Sequence, residues 1–404
     1  MGGISLESIR NLALTCLLLF IFAVPTDGLW TIVGLSLVKI SGLLLFGMVS
    51  LLVISGDGMR GAPWFFITVT VYTCWMLFSF LWTWMPVDYE TSLAINSQQA
   101  LKEYLYLFMM ILLAFQVVRT EQDLNLIFAA YLLGAIGLAY FLVRGYDPTG
   151  TTVRHEIRGF DANETSLQLA LGLPMALYLL LIAKSWLLRG LGLVYLPIAL
   201  FGIFITGSRT GFITALLGLI GLIPWFWHTR FIWKLVALSF FVVIALGVTS
   251  MIPQKTLDRL FSSGTELSQG TLSSRSITWS RAWLEINEAP FFGNGLSSFR
   301  RVINKYNIDY TAHNSYIAIM VEQGVVGLLS YLAVIITVFL QAFKIPAEQR
   351  LLMLALLFIA IAGQFTLTLN GRMFIWFAYL FIVLKANLEQ PSQQLAQNYQ
   401  LRLA

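Results

Sequence analysis

His313 and Asn314 stand in the stretch TAHNSYIAIMVEQGVVG, where a polar segment gives way to an apolar helix. The chain has three histidines, and an imidazole with an ordinary pKa of about 6.5 can take a proton from a hydroxyl at neutral pH. His313 therefore reads either as a general base or as an interfacial histidine that packs and hydrogen-bonds without doing chemistry. Asn314 suits a helix cap, or a contact that orients the ring or a substrate. A second group is cationic. Arg209 lies between two glycines in GSRTG, a tight turn joining two apolar runs, and Arg275 opens the helical pattern SSRSITWSRAWLEINEAP behind Ser273 or Ser274 as cap. Arg158 and Asp161 precede another apolar run, capped by Asn163 or Thr165. Arginine's planar fork donates paired hydrogen bonds to phosphate oxygens and keeps its charge at any physiological pH. Two or three such groups around one point could hold a diphosphate and stabilise its charge as it leaves. The sequence has no HExxH, no Cys/His cluster and no Gly-rich phosphate loop, which disfavours metal-dependent or ATP-driven chemistry and predicts no cofactor.

These residues have to be positioned by membrane helices. Hydrophobic residues make up 58% of the chain and charged ones 11%, with a mean hydropathy of +0.78, which is the composition of a polytopic membrane protein. A spanning helix needs about 20 apolar residues. About twelve such runs begin near Asn11, Leu29, Ala62, Glu103, Asp123, Leu167, Leu191, Thr210, Phe231, Ser315, Leu351 and Met373. The first reads as a retained helix rather than a signal peptide. Cys16 and Cys74 both fall inside apolar runs and read as small hydrophobes. The basic balance, pI about 9.1, reflects loops between spans rather than a nucleic-acid surface.

With both termini inside, short inner loops carry eleven of the 25 basic residues and short outer loops six. That bias supports the orientation, since Lys and Arg accumulate in short cytoplasmic loops. His313 and the long loop from about Ser250 to Ala312 then lie outside the cytoplasm, where no nucleotide sugar or ATP is at hand. An enzyme there needs a substrate that arrives activated, and a polyprenyl diphosphate is one. Arg144 and Arg154, on the same side, suit lipid phosphates or solvent. In SSFRRVINKYN the spacing of Phe299, Val302, Ile303 and Tyr306 predicts a helix lying in the interface, with Arg300, Arg301 and Lys305 toward head groups. Trp279, Trp283 and Phe299 suit an aromatic belt or the roof of a site. Lys39 and Glu322 fall inside apolar runs, where charge is costly. Glu322 suits a polar partner in the bundle or a helix break at Gly324; Lys39 suits snorkelling or a phosphate.

His-Asn followed by nine residues and GVVG resembles the His-[Asn/Ser/Gln]-x9-Gly-x-x-[Gly/Thr/Tyr] pattern of O-antigen ligases of the WaaL type, with His313, Asn314, Gly324 and Gly327 at its four positions. GSRTG with Arg209, SSRSITW with Arg275, and FFGNGLSSF with Gly293 and Gly295 resemble the wider O-antigen ligase and polymerase superfamily. So does the order of about twelve spans with one large loop before the last three. The resemblance covers Phe204 to the C-terminus and is topological before that.

The resemblance implies an all-α polytopic protein of GT-C-like architecture. Residues 1–250 would form nine spans with short loops, 251–312 a large periplasmic loop with interfacial helices, and 313–404 three further spans and a cytoplasmic tail. It implies an inverting glycosyltransferase of the Gram-negative inner membrane, active on the periplasmic face. The donor would be O-antigen on undecaprenyl diphosphate and the acceptor a sugar hydroxyl of lipid A-core. Arg209 and Arg275 would hold the donor diphosphate and His313 would be the base; Arg158 and Asn314 are further candidates for substrate binding. Two lipid-tailed substrates require a lateral groove between helices. An O-antigen polymerase or a protein O-oligosaccharyltransferase would share the donor. A lipid or polysaccharide transporter would instead place functional charges near the midplane, usually in related halves, and no clear internal repeat is present.

Overall fold

The computed structural model describes residues 5–32, 34–61, 63–83, 91–146, 154–157, 159–223 and 275–403, with scattered positions between 225 and 256, and of 91–96 and 390–403 the backbone alone. Among the described residues thirteen α-helices follow one another. They are α1 Leu6–Ala23, α2 Leu37–Ile54, α3 Trp64–Thr83, α4 Thr91–Val117, α5 Glu121–Arg144, α6 Ala162–Ile182, α7 Trp186–Ile205, α8 Arg209–Leu219, α9 Arg275–Glu288, α10 Phe299–Asn304, α11 Ser315–Ala342, α12 Ala347–Gln364 and α13 Met373–Leu403. A hairpin between α1 and α2 pairs Thr31 with Ser36. Nine of the helices carry segments long and apolar enough to cross a membrane: α1 to α7, α11 and α12. The chain is an all-α, multi-pass membrane protein. The run expected from Thr210 is α8, a shorter apolar helix extended to Leu222. The run expected from Phe231 and most of the long loop lie outside the described residues.

The helix α6 is the axis of the bundle. Its run LQLALGLPMALYLL is apolar on every side, so it can be surrounded, and it packs against α5, α7, α8 and α12. Small residues allow the close approach: a Cβ at Gly172 would overlap Tyr195, and one at Gly192 would overlap the carbonyl of Ala176. Tyr131 and Tyr195 then donate to the carbonyls of Gln168 and Leu169, at 3.0 and 2.7 Å.

The helix α11 is broken at Gly324, whose φ of 64° and ψ of −166° no side chain tolerates. A broken membrane helix must satisfy its freed backbone groups within the protein, and the segment after α9 does so. Val325 and Val326 donate to the carbonyls of Pro290 and Phe291, while Asn294 and Gly295 donate to those of Val321 and Glu322. The indole of Trp75 in α3 donates to Gln323 O at 3.2 Å. A Cβ at Gly293 would lie 2.5 Å from the α11 backbone, and one at Gly324 would overlap Phe291. Of the two glycines spaced after His313, Gly324 is thus the place where a loop docks into a helix break, while Gly327 leaves room for Gln323 and Trp75.

That loop belongs to a lobe seated on the start of α11. Ala282, Ile286, Phe299, Ile303, Ala312, Ala318 and Val321 form its small core. Phe299 and Ile303 of α10 are buried in it, so this part of the face expected to meet the membrane interface is spent inside the lobe. The neighbouring charges find protein partners: Arg300 reaches Asp309 at 2.5 Å, and Lys305 pairs with Glu285 and, at 3.3 Å, Glu288. Arg301 donates to Thr83 O at the end of α3. The carboxylate of Glu322 accepts from Phe299 N at 3.3 Å, which gives the costly charge read in the sequence a partner within the lobe.

Candidate functional site

Four chain segments meet at one end of the bundle. The first is the approach to α6. Asp161 caps that helix, its Oδ1 accepting from Asn163 N at 2.8 Å and Glu164 N at 3.3 Å. Arg154 lies beside it, Nη2 3.8 Å from Asp161 Oδ2. His155 fixes this stretch by donating its backbone N–H to Ile205 at the end of α7 and setting its ring edge-on against Tyr146.

The second segment is the turn into α8. Ser208 caps α8 through Gly211 N and donates to Asn163 Oδ1 at 2.8 Å. Arg209, the first residue of α8, is thereby held beside the start of α6. The third is α9, which Arg275 opens. One turn on, the Trp279 indole donates to Ala312 O at 2.8 Å, tying this helix to the residue before His313.

The fourth is the start of α11. His313 adopts a left-handed φ of 46°, a conformation a side-chain-bearing residue seldom takes, costing on the order of 1–2 kcal/mol. Asn314 then enters the helix, its Oδ1 accepting from Tyr316 N and Ile317 N while its Nδ2 donates to Phe365 O. Ser315 donates to Leu367 O and accepts from Leu369 N. These bonds stitch the α12–α13 turn against α11, and Arg372 in that turn reaches Glu164 of α6 at 3.2 Å.

The electrostatics show which groups share the site. Burial is the main cause of a lowered His313 pKa, and the charges of Arg275 and Arg154 push the same way, opposed by Asp161. The imidazole is therefore neutral at pH 7, the form that accepts a proton. Arg275 is also lowered, by burial first, with Asp161 opposing and Arg154 adding to it; an arginine so perturbed still carries its charge. Among the described residues, Arg154 keeps two buried donors, Nε and Nη2, without a hydrogen-bond acceptor. Such donors are costly to bury, and the missing partner is an acceptor group. Among the described residues no cluster of three or more His, Cys, Asp or Glu is placed to hold a metal.

The structure thus brings Arg275 and His313 together, sets Arg209 on the adjoining turn, and engages three hydrogen-bonding positions of Asn314 in the fold. Arg158 lies outside the described residues. Arg154 and Asp161 complete the cluster. Arg154, which by sequence suits lipid phosphates or solvent, carries no signal for the site beyond its place in the same loop as Arg158.

Residues 193–332 match the family model described as O-antigen ligase. No curated protein matches the chain. The matched stretch runs from within α7 to within α11 and holds Arg209, Arg275, His313, Gly324 and Gly327.

Proposed function

We propose that this chain, which belongs to the O-antigen ligase and polymerase superfamily, transfers O-antigen from undecaprenyl diphosphate to a sugar hydroxyl of lipid A-core on the periplasmic face of the inner membrane. Glycosyl transfer of the ligase or polymerase type is the family's chemistry; the donor, the acceptor and the residue roles are our reading. One observation carries it: a neutral, half-buried histidine faces two arginines, one of which has buried donors without an acceptor among the described residues. A diphosphate supplies the acceptors and a leaving group.

In this reading Arg154, Arg209 and Arg275 hold the donor diphosphate with charge-assisted hydrogen bonds. His313 takes the proton of the acceptor hydroxyl. The oxygen attacks the anomeric carbon from the face opposite the diphosphate, the new C–O bond forms as the old one breaks, and polyprenyl diphosphate departs with the electron pair. The configuration inverts, and the imidazolium releases its proton to water. The charge that grows on the leaving diphosphate falls among guanidinium groups already in place, so neither a metal ion nor ATP is required. Asp161 holds the cluster's charge near balance and orients Arg154.

The test is ligation by purified protein in detergent or nanodiscs, without ATP or divalent metal. The wild type should transfer donor glycan to lipid A-core, and His313→Ala should lose about 10²–10⁴-fold in rate, the range for a general base. A folded His313→Ala protein with wild-type turnover overturns the assignment. Offering repeat-unit lipid and a pilin as alternative acceptors separates ligase from polymerase and from protein O-oligosaccharyltransferase.

A further inference from the structure

A cavity of about 1090 Å³ opens between the segment after α1, α2, α4, α6 and the start of α13, with the Arg372–Glu164 pair in its wall. Gly159 and Phe160, which line it, run directly into Asp161. Its volume is slightly above the usual range for small-molecule sites, about 300–1,000 Å³. Two lysines reach it, Lys39 from the first turn of α2 and Lys102 from α4. Both side chains are exposed, and neither ammonium makes an ion pair or hydrogen bond among the described residues. The Arg372 guanidinium lines the same wall, shared with Glu164.

The remaining polar groups are mainly acceptors. Gln168, 2% exposed, lines the cavity with its Oε1 buried and, among the described residues, without a hydrogen-bond partner. Glu103 accepts from Gln99 at 2.9 Å, and Asp27 stands at the mouth. A phosphate head group without hydroxyl or amide donors would satisfy the lysines and leave these acceptors unmatched. A phosphorylated sugar satisfies both sets, with phosphate oxygens toward Lys39 and Lys102 and hydroxyl or amide N–H groups toward Gln168 and Glu103. The apolar wall of Leu29, Leu35 and Leu43 continues onto exposed Leu35 and Leu43 at the outside of the bundle, a path for acyl chains. The Tyr106 hydroxyl donates to Val38 O at 2.9 Å and lies where a Cβ on Gly42 would be, which fixes α4 against α2 beneath the lysines.

We infer that this cavity binds the phosphorylated head group of the glycolipid acceptor, through Lys39, Lys102 and Gln168, while the donor diphosphate occupies the arginine cluster. Naming this lipid as acceptor rests on the function proposed above; the existence of a phosphoglycolipid site does not.

The experiment therefore measures binding apart from turnover. Wild type and the double variant Lys39→Gln/Lys102→Gln are placed in neutral phosphatidylcholine nanodiscs and titrated with lipid A, with the same lipid A after phosphatase treatment, with undecaprenyl diphosphate and with inorganic phosphate. The variant should bind lipid A about tenfold more weakly, an effect of about 1.4 kcal/mol. It should bind the dephosphorylated lipid and undecaprenyl diphosphate as the wild type does, and Lys39→Arg/Lys102→Arg should restore lipid A binding. Equal lipid A affinity in wild type and the Gln variant overturns the site. Weakened undecaprenyl diphosphate binding reassigns the cavity to the donor and overturns the acceptor assignment; inorganic phosphate binding as tightly as lipid A overturns the glycolipid. In ligation assays the Gln variant should raise the KM for lipid A-core and leave the donor KM unchanged. If ligation is absent altogether while the binding contrast holds, the proposed reaction fails and the site stands.

Discussion

The two ends of the bundle use the same residue types in opposite ways. At the end away from His313, each basic residue with a described role is tied to the fold. Arg10 donates through Nη2 to Asp123 at 2.7 Å, with its Nε buried and without a hydrogen-bond partner among the described residues, Arg119 spans both oxygens of Asp57, Arg60 reaches the carbonyls of Phe115 and Val118, and Lys385 sits between Glu121 and Glu389. At the His313 end, among the described residues, Arg154 has only the 3.8 Å pair with Asp161 and two donors without a hydrogen-bond acceptor, and Arg275 forms no ion pair. Buried guanidinium groups are stable when every donor is matched. Where a carboxylate closes on the guanidinium at hydrogen-bond distance, as at Arg10 and Arg119, the pair acts as a lashing; at Arg154 the carboxylate stands at 3.8 Å, and in the function proposed above a ligand supplies the closer partner.

The sharpest way to break that contrast is to remove the unmatched charges. The double variant Arg154→Gln/Arg275→Gln should lose on the order of 10²–10³-fold in kcat/KM for the donor lipid, the scale seen when preorganised charge stabilisation is removed, with the melting temperature nearly unchanged. Initial rates against donor concentration measure it. If the pair behaves like lashings, with stability falling and kinetics per folded molecule intact, the two ends do not differ.

The next effect concerns how the base is held. Gly324→Ala puts a side chain at a φ and ψ that only glycine adopts and into the backbone of Phe291. The lobe should then lift from α11, and the link from Arg275 through Trp279 and Ala312 to His313 should loosen. We expect at least about a tenfold fall in kcat, since small displacements from reacting geometry are expensive, and a melting temperature lower by several degrees. Wild-type kcat in this variant would separate the helix break from the site.

This hinge also shows how much the sequence disclosed. Spans were legible because about 20 apolar residues have few alternatives in a bilayer, and nine of the expected runs are present as such helices. His313 and Arg275 were legible from motifs, yet the reason for Gly324 and Gly327 was not. A glycine that admits a loop from thirty residues upstream looks the same in sequence as one that merely loosens a helix. Arg154 and Asp161 were hidden for a related reason. Periodicity reports which face of one helix is apolar; it does not say which loops, more than a hundred residues apart, close over the same point. The face of α10 was misplaced because amphipathicity is satisfied equally by a membrane interface and by a lobe core.

A smaller effect belongs to the matched end. Asp123 accepts from Arg10 and from the amides of Arg119 and Thr120, completing the capping box that Thr120 opens at α5. Asp123→Asn should cost about 1–3 kcal/mol of stability by leaving buried donors poorly satisfied, while kcat and both KM values of the folded fraction stay within about twofold. Thermal unfolding in detergent with parallel initial rates checks it. A large rate loss at unchanged stability would mean that this end, too, is functional.

The smallest expected effect is the most specific to the cluster's wiring. His313 must be neutral to act, so kcat/KM should fall as pH drops through its free-enzyme pKa. That acid limb should lie below the ordinary histidine value of about 6.5, because burial and two arginine charges all disfavour the imidazolium. Arg154→Gln removes one of the lowering charges, so the limb should move to higher pH. Asp161→Asn removes the raising charge, so the limb should move to lower pH. Binding a diphosphate adds negative charge beside the ring, so the limb in kcat should lie above the limb in kcat/KM for the same protein. A distant histidine, or one acting only through packing, would give no measurable shift in either variant. Opposite signs, each a fraction of a pH unit, require that His313, Arg154 and Asp161 feel one another directly, which the lashings at the other end cannot reproduce.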